Sequence, residues 1–207
     1  DIAEFWRRWH ISLSTWFRDY LYIPLGGSQC GRWGKVRNVF IIFMVSGFWH
    51  GANWTFIMWG ALNAVYFLPL LLTNKNRVNL EVVAKNKYLP TLSELISMIV
   101  TFSMTSFAWV FFRANNITHA YHYILGMFRL WTPYENDFIS ISVNPITMLS
   151  LISIFILIEW IGREHQYAIE CFAFQYNRAI RWGFYLAICF TIVIFQGKQQ
   201  EFIYFQF

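Results

Sequence analysis

The chain has 207 residues, of which 57% are apolar, 21% aromatic and 13% charged, with a formal net charge of +5. A soluble domain carries about 25% charged residues, so this composition excludes an ordinary water-soluble core and fits a multi-pass membrane protein with Trp and Tyr at its interfaces. The positive balance does not point to nucleic acid, because the Lys and Arg residues fall in short segments between apolar runs. Cys30, Cys171 and Cys189 are too scattered for a CxxC pair or a disulfide framework.

The first predicted element is "EFWRRWHISLSTWFR", residues 4–18. Phe5, Trp6, Trp9, Leu13, Trp16 and Phe17 recur at helical spacing, with Arg7, Ser14 and Arg18 opposite and His10 at the border. Only Ile11 breaks the pattern. The expectation is one amphipathic helix, interfacial or packed under a bundle, and too polar to span. No signal peptide is evident, since Asp1 and Glu4 already belong to this amphipathic segment, and the chain is expected to be a piece of something longer. "IPLGGSQCGRWGK" reads as a turn-rich loop ending in basic residues.

Apolar runs follow at about 38–50, 52–72, 92–112, 146–161 and 182–197. The second and third are long enough to cross alone, since a span needs about 20 residues; the others need tilt, burial in protein or flanking residues. If all five cross, residues 1–37, 73–91 and 162–181 share one side with thirteen Lys and Arg, against three on the other. A single crossing over 38–72 would split them nine to seven. The positive-inside rule prefers the first arrangement, with residues 73–91 cytoplasmic and the turn at His50 on the far side; the short run 38–50 also suits a re-entrant helix. The predicted fold class is all-α, a polytopic membrane helical bundle with interfacial or re-entrant helices.

Within "FMVSGFWHGANWTFIMWG", residues 43–60, His50 is the only ionisable side chain. It is either a satisfied core histidine or a base held in a dry site, and an ionisable group at membrane depth favours function. If 43–53 is helical, Ser46 at i−4 and Asn53 at i+3 share its face and orient the ring. His10, on pattern alone, is an interfacial residue. Arg18 and Asp19 read as a surface pair of little energetic weight. The glycine-rich loop before Lys35 fails as a phosphate loop, with Gln29 in place of the first glycine and Val36 in place of Ser or Thr. His119 and His122 are i, i+3 neighbours without a third ligand near them, so they read as surface residues of a polar loop, and no metal site is expected. No Ser–His–Asp motif, HExxH or nucleophile elbow is present, which leaves His50 as a general base for attack on an activated carbonyl.

"FWRRWHISLSTWFRDYLYIPLGG" and "SGFWHGANWTFIMWG" together resemble the bacterial branch of the membrane-bound O-acyltransferase family, in particular alginate O-acetyltransferase-type proteins, which sit beside the D-alanyl transferases of teichoic acid. "AWVFFRA" at 108–114 and the closing "FIYFQF" are similar to the same branch. The resemblance implies that residues 1–207 are a C-terminal portion of such a domain. It implies transfer of an acyl group, expected to be acetyl, from a thioester to a hydroxyl in a membrane-embedded funnel. His50, in "WHG", then matches the family's catalytic histidine, and His10, in "RWHISLS", its second polar position near the site. Trp9, Trp49 and Trp54 are either wall of the acyl path or lipid-facing, while Ser46 and Asn53 flank His50 as candidate substrate-binding residues. No permanently bound cofactor is expected; the donor is acetyl-CoA or an acyl-carrier. The expected partners are the lipid bilayer, a polysaccharide acceptor and a periplasmic acetyltransferase or carrier protein, with the chain in the inner membrane. Two competing readings are a transporter-like or channel-like bundle with His50 in a proton path, and a non-catalytic subunit of a polysaccharide export complex. Residues 38–72 hold no carboxylate to partner such a path.

Overall fold

The structure, a computed structural model, describes residues 1–128, 145–165, 167–169 and 176–195, and among these it contains eight α-helices and no strand. The predicted all-α membrane architecture is borne out. Among the described residues, three helices are long and apolar enough to cross a membrane: Trp54–Leu72, Leu92–Arg113 and Pro145–Gly162. The aromatic stretch at 131–138, Cys171 and the closing "FIYFQF" lie outside the described residues. The chain divides into two compact units, Asp1–Thr132 and Pro133–Phe207.

In the first unit the predicted helix 4–18 is two helices. Helix α1 (Ile2–Arg8) is capped by Asp1, whose carboxylate accepts from the Glu4 N–H at 2.9 Å. Trp9 is extended and His10 adopts a left-handed conformation with φ 45°, after which α2 (Ile11–Phe17) begins. A π-helical turn, Arg18–Tyr22, continues from it. The residue that interrupted the amphipathic pattern, Ile11, is thus the first of a new helix. The break also changes the role of the segment: α1 packs against the fourth helix of the chain, and Trp9 lies 5.6 Å from Trp109 between ring centroids. The aromatic face is therefore partly sealed by protein rather than laid flat on lipid.

Helix α3 (Arg32–Trp49) starts six residues before the apolar run does. Arg and Lys are good helix formers, so the basic segment winds into the helix, and its apolar length alone is short for a span. The wholly buried Asn38 anchors it to the preceding loop, donating to the Leu25 carbonyl at 3.1 Å and accepting from Arg37. The "WHGAN" turn reverses the chain into α4 (Trp54–Leu72). His50 closes α3, its N–H donating to the Gly47 carbonyl at 3.0 Å. Gly51 takes φ 151°, which disfavours a side chain, and Asn53 caps α4 by accepting from the Thr55 N–H at 3.1 Å.

The α3–α4 hairpin is pressed together backbone to backbone. A methyl at Gly47 would overlap the Phe56 carbonyl, and one at Gly60 would overlap the Phe43 carbonyl. Gly47→Ala should therefore destabilise the folded protein by about 1–3 kcal/mol through overpacking. Thermal unfolding in detergent should show this, with Gly126→Ala, which meets nothing within 4 Å, as the control expected to leave the transition temperature intact or raise it.

The start of α1 is tied to the connection that follows α4. Arg7 donates to the Asn76 and Asn79 carbonyls at 2.9 and 3.0 Å, and the Asn79 side chain donates to Asp1 at 2.6 Å. Helix α5 (Leu92–Arg113) follows, started by a reciprocal Thr91–Glu94 capping box, and packs on α4. The segment read as a polar loop with surface histidines is in fact a helix, α6 (Ile117–Phe128). Asn116 starts it by accepting from the His119 N–H at 2.8 Å, and Ile117, Ala120, Tyr121 and Leu125 give it an apolar stripe that the two histidines obscure in the sequence.

The second unit holds α7 (Pro145–Gly162) and α8 (Arg178–Ile194). Arg163 ends α7 by donating to the Trp160 carbonyl at 2.6 Å, with its guanidinium 4.4 Å from the Trp160 ring centre. Asn177 caps α8.

Candidate active site

A cavity of about 700 Å³ runs along the α3–α4 hairpin. One face of α3 forms its long wall: Lys35, Val39, Ile42, Phe43, Ser46 and His50 all line it, the stripe that a helix presents every three to four residues. Trp59, Phe67 and Leu71 of α4 form a second wall, and Trp109 and Phe112 of α5 a third. Trp6, Trp9, His10, Ser14 and Phe17 come from the α1–α2 segment. His10 and His50, forty residues apart in the chain, thus face one space.

The His50 imidazole sits among aromatic rings. Phe112, Trp49 and Trp59 meet it edge-on with centroids 4.9, 5.0 and 5.4 Å away. Such a wall holds the ring in place and keeps bulk water from its flanks. Ser46, one turn back on α3, lines the same cavity. The helical geometry expected for Asn53 is corrected: α3 ends at Trp49, so Asn53 is not at i+3 on the same helix. Its side chain instead caps α4 and donates to the Asn115 carbonyl at 2.9 Å, tying the turn to the start of α6. Trp9 lines the cavity; Trp49 flanks His50 but is not among the lining residues, nor is Trp54.

The left-handed turn at His10 brings its side chain to this cavity. Between α1, which packs on α4, and α2 the helical path is interrupted by an extended Trp9, set against Trp109, and the positive φ of His10. Ser14 stabilises the corner, its hydroxyl donating to the Trp9 carbonyl at 3.2 Å. Arg18 and Asp19 form the expected surface pair at 2.7 Å, and the guanidinium hydrogen-bonded to it holds the Asp19 carboxyl below its usual range.

The sequence reading missed Trp6, Lys35, Trp59, Arg77 and Phe112 as lining residues. A helical stripe counted back from His50 at 46, 43, 42, 39 and 35 would have found Lys35; Arg77 depends on where the α4–α5 connection lies. Among the described residues, no carboxylate lines the cavity and no cluster of three or more potential metal ligands occurs.

The motifs that build this cavity recur in known proteins. The pattern of the membrane-bound O-acyltransferase family matches residues 1–114, the segment that supplies every lining residue. The peptidoglycan O-acetyltransferase of Helicobacter pylori is 40% identical over 130 residues, covering 63% of this chain and 23% of the relative. The probable alginate O-acetylase AlgI of Pseudomonas aeruginosa is 34% identical over 167 residues, covering 81% and 30%. The teichoic acid D-alanyltransferase of Bacillus subtilis is 32% identical over 126 residues, covering 58% and 31%. The chain thus spans less than a third of the length of these curated relatives. With more than half of its residues matched to the family pattern, and both histidine motifs within that half, the chain belongs to the membrane-bound O-acyltransferase family.

Proposed function

We propose that the chain forms the histidine-bearing part of a membrane O-acyltransferase that moves an acetyl group from a thioester to a hydroxyl of an extracytoplasmic polysaccharide. The observation that carries this reading is the meeting of His10 and His50 on one aromatic-walled cavity without a carboxylate. The names of the relatives, which act on peptidoglycan, alginate or teichoic acid, support a cell-envelope acceptor. His50 takes the proton from the acceptor hydroxyl as its oxygen attacks the thioester carbonyl. The carbon–sulfur bond then breaks, and the imidazolium returns the proton to the departing thiolate. His10 orients the acceptor, and Trp9 and Ser46 bound the path on either side. Trp49 braces the His50 ring and Asn53 holds the turn that presents it. A dry site protects the thioester from hydrolysis.

In this reading residues 1–37 and 73–91 face the cytoplasm, as the basic residues favour, and the donor, acetyl-CoA or a loaded carrier, enters from there. The inner membrane is the location that this orientation requires, and a periplasmic carrier or acetyltransferase receives the acyl group or the modified product. A proton path would want an acidic partner in the cavity, and the lining residues contain none. The test is transfer of labelled acetyl from acetyl-CoA, or from a loaded carrier protein, to envelope polysaccharide in membranes that hold the full chain. Label in the polysaccharide is the expected result. Correctly inserted protein that labels it from neither donor would sink the proposal.

A further inference from the structure

We propose that His119 is a positioning residue of the transfer site: its ring holds the corner between α5 and α6, and that corner holds the turn that presents His50. Its kinetic consequence rests on the acyl-transfer reading, whereas the bracing rests on geometry alone. His119 is not among the residues that line the cavity, so its route to the chemistry runs through others.

The His50 turn needs support from outside itself. Between His50 and α4 stand Gly51, Ala52 and Asn53, and a glycine brings no side chain to lock its own conformation. Asn53 supplies the lock. Its Oδ1 accepts from the Thr55 N–H at 3.1 Å and its Nδ2 donates to the Asn115 carbonyl at 2.9 Å, which commits both polar atoms of the amide. Asn115 is the middle one of the three residues that join α5 to α6. Its own N–H donates to Nδ1 of His119 at 3.3 Å. A second support comes from the same corner. Phe112, in the last turn of α5, meets the His50 ring at 4.9 Å and the Phe56 ring at 5.0 Å. A shift of the corner therefore disturbs the backbone of the turn and the wall of the imidazole together.

His119 is itself firmly seated. It lies half-buried in the first turn of α6, where its N–H donates to the Asn116 Oδ1 at 2.8 Å. Helix α6 packs on both α4 and α5, so the ring reaches back to the corner from an anchored base. The two histidines of α6 are thus unequal. His119 bonds to the corner, while His122 is exposed and lies against the Tyr121 ring. The property that matters at His119 is an acceptor at the ring position nearest the backbone, aimed at a single N–H.

The test uses the full chain with three substitutions. His119→Leu keeps the bulk and removes the acceptor. His119→Asn keeps an acceptor, because its Oδ1 hangs from Cγ as Nδ1 does. His122→Leu is the control. In labelled acetyl transfer, His119→Leu should lose about five- to tenfold in kcat at unchanged KM, near the worth of one hydrogen bond. His119→Asn should recover most of that loss, and His122→Leu should transfer as wild type does. A second readout needs no substrate: amide hydrogen exchange over residues 47–56 in detergent should be faster in His119→Leu and close to wild type in His119→Asn. Wild-type exchange there in His119→Leu overturns the brace, whatever the transfer assay gives. So does faster exchange confined to α6, which would leave the ring a helix-starting group alone. A loss through KM, or an equal loss in the Asn and Leu variants, also overturns it. Should wild type transfer nothing while exchange follows the expected pattern, the acyl-transfer reading falls and the brace stands.

Discussion

Replacing His50 with Ala should lower acetyl transfer by about 10²–10⁴, or roughly 3–5 kcal/mol of barrier, while the protein remains inserted. The backbone has no objection to the change. His50 closes α3 at φ −76° and ψ −16°, a conformation open to any residue, and its contribution to the turn is its own N–H rather than its ring. Gly51 and Asn53 still reverse the chain and start α4. What disappears is the only titratable side chain on the turn and its edge-on contacts with Phe112 and Trp59. Labelled transfer, read against protein level and against thermal stability in detergent, separates chemistry from packing. Wild-type transfer by His50→Ala at equal protein level would end the general-base assignment.

His10 calls for a different substitution because its backbone is unusual. Its φ of 45° is left-handed, where any side chain with a Cβ, His or Ala alike, costs about 1–2 kcal/mol, so His10→Ala keeps that strain while removing the ring. His10→Gly removes the ring and suits the conformation. The expectation is at least about a tenfold loss of transfer for His10→Gly without loss of thermal stability. Ser12→Ala, exposed on α2 and absent from the cavity wall, should transfer as wild type does. Full activity in His10→Gly would mean that the position serves the bend alone. The same glycine variant with weakened thermal stability would mean that the ring matters for packing.

The long apolar runs were legible because length and hydrophobicity decide helices in lipid almost unaided. Thus 52–72 and 92–112 returned as α4 and α5 within two residues at either end. The cavity was legible only in part. His50 and Ser46 lie on one helix, where local periodicity suffices. His10 reaches them through contacts between Trp9 and Trp109 that no local pattern contains. The bend there left a single trace, the misplaced Ile11, which is weak evidence inside an otherwise continuous amphipathic stripe. Helix α6 was hidden for the opposite reason. Its histidines advertise a polar loop, although one of them takes part in starting the helix, its Nδ1 accepting from the Asn115 N–H at 3.3 Å.

The seam between the chain's first residues and the α4–α5 connection also orders events in time. Arg7 and Asp1 find their partners 69 to 78 residues further along the sequence. At a synthesis rate of about 5–20 residues per second, several seconds pass between the appearance of α1 and that of the carbonyls that secure it. Until residue 76 has been made, the Arg7 guanidinium lacks the first of the carbonyls that it holds in the folded structure. Closure of this seam therefore follows synthesis of the α4–α5 connection, and a chain that ends before residue 76 carries both histidines without it.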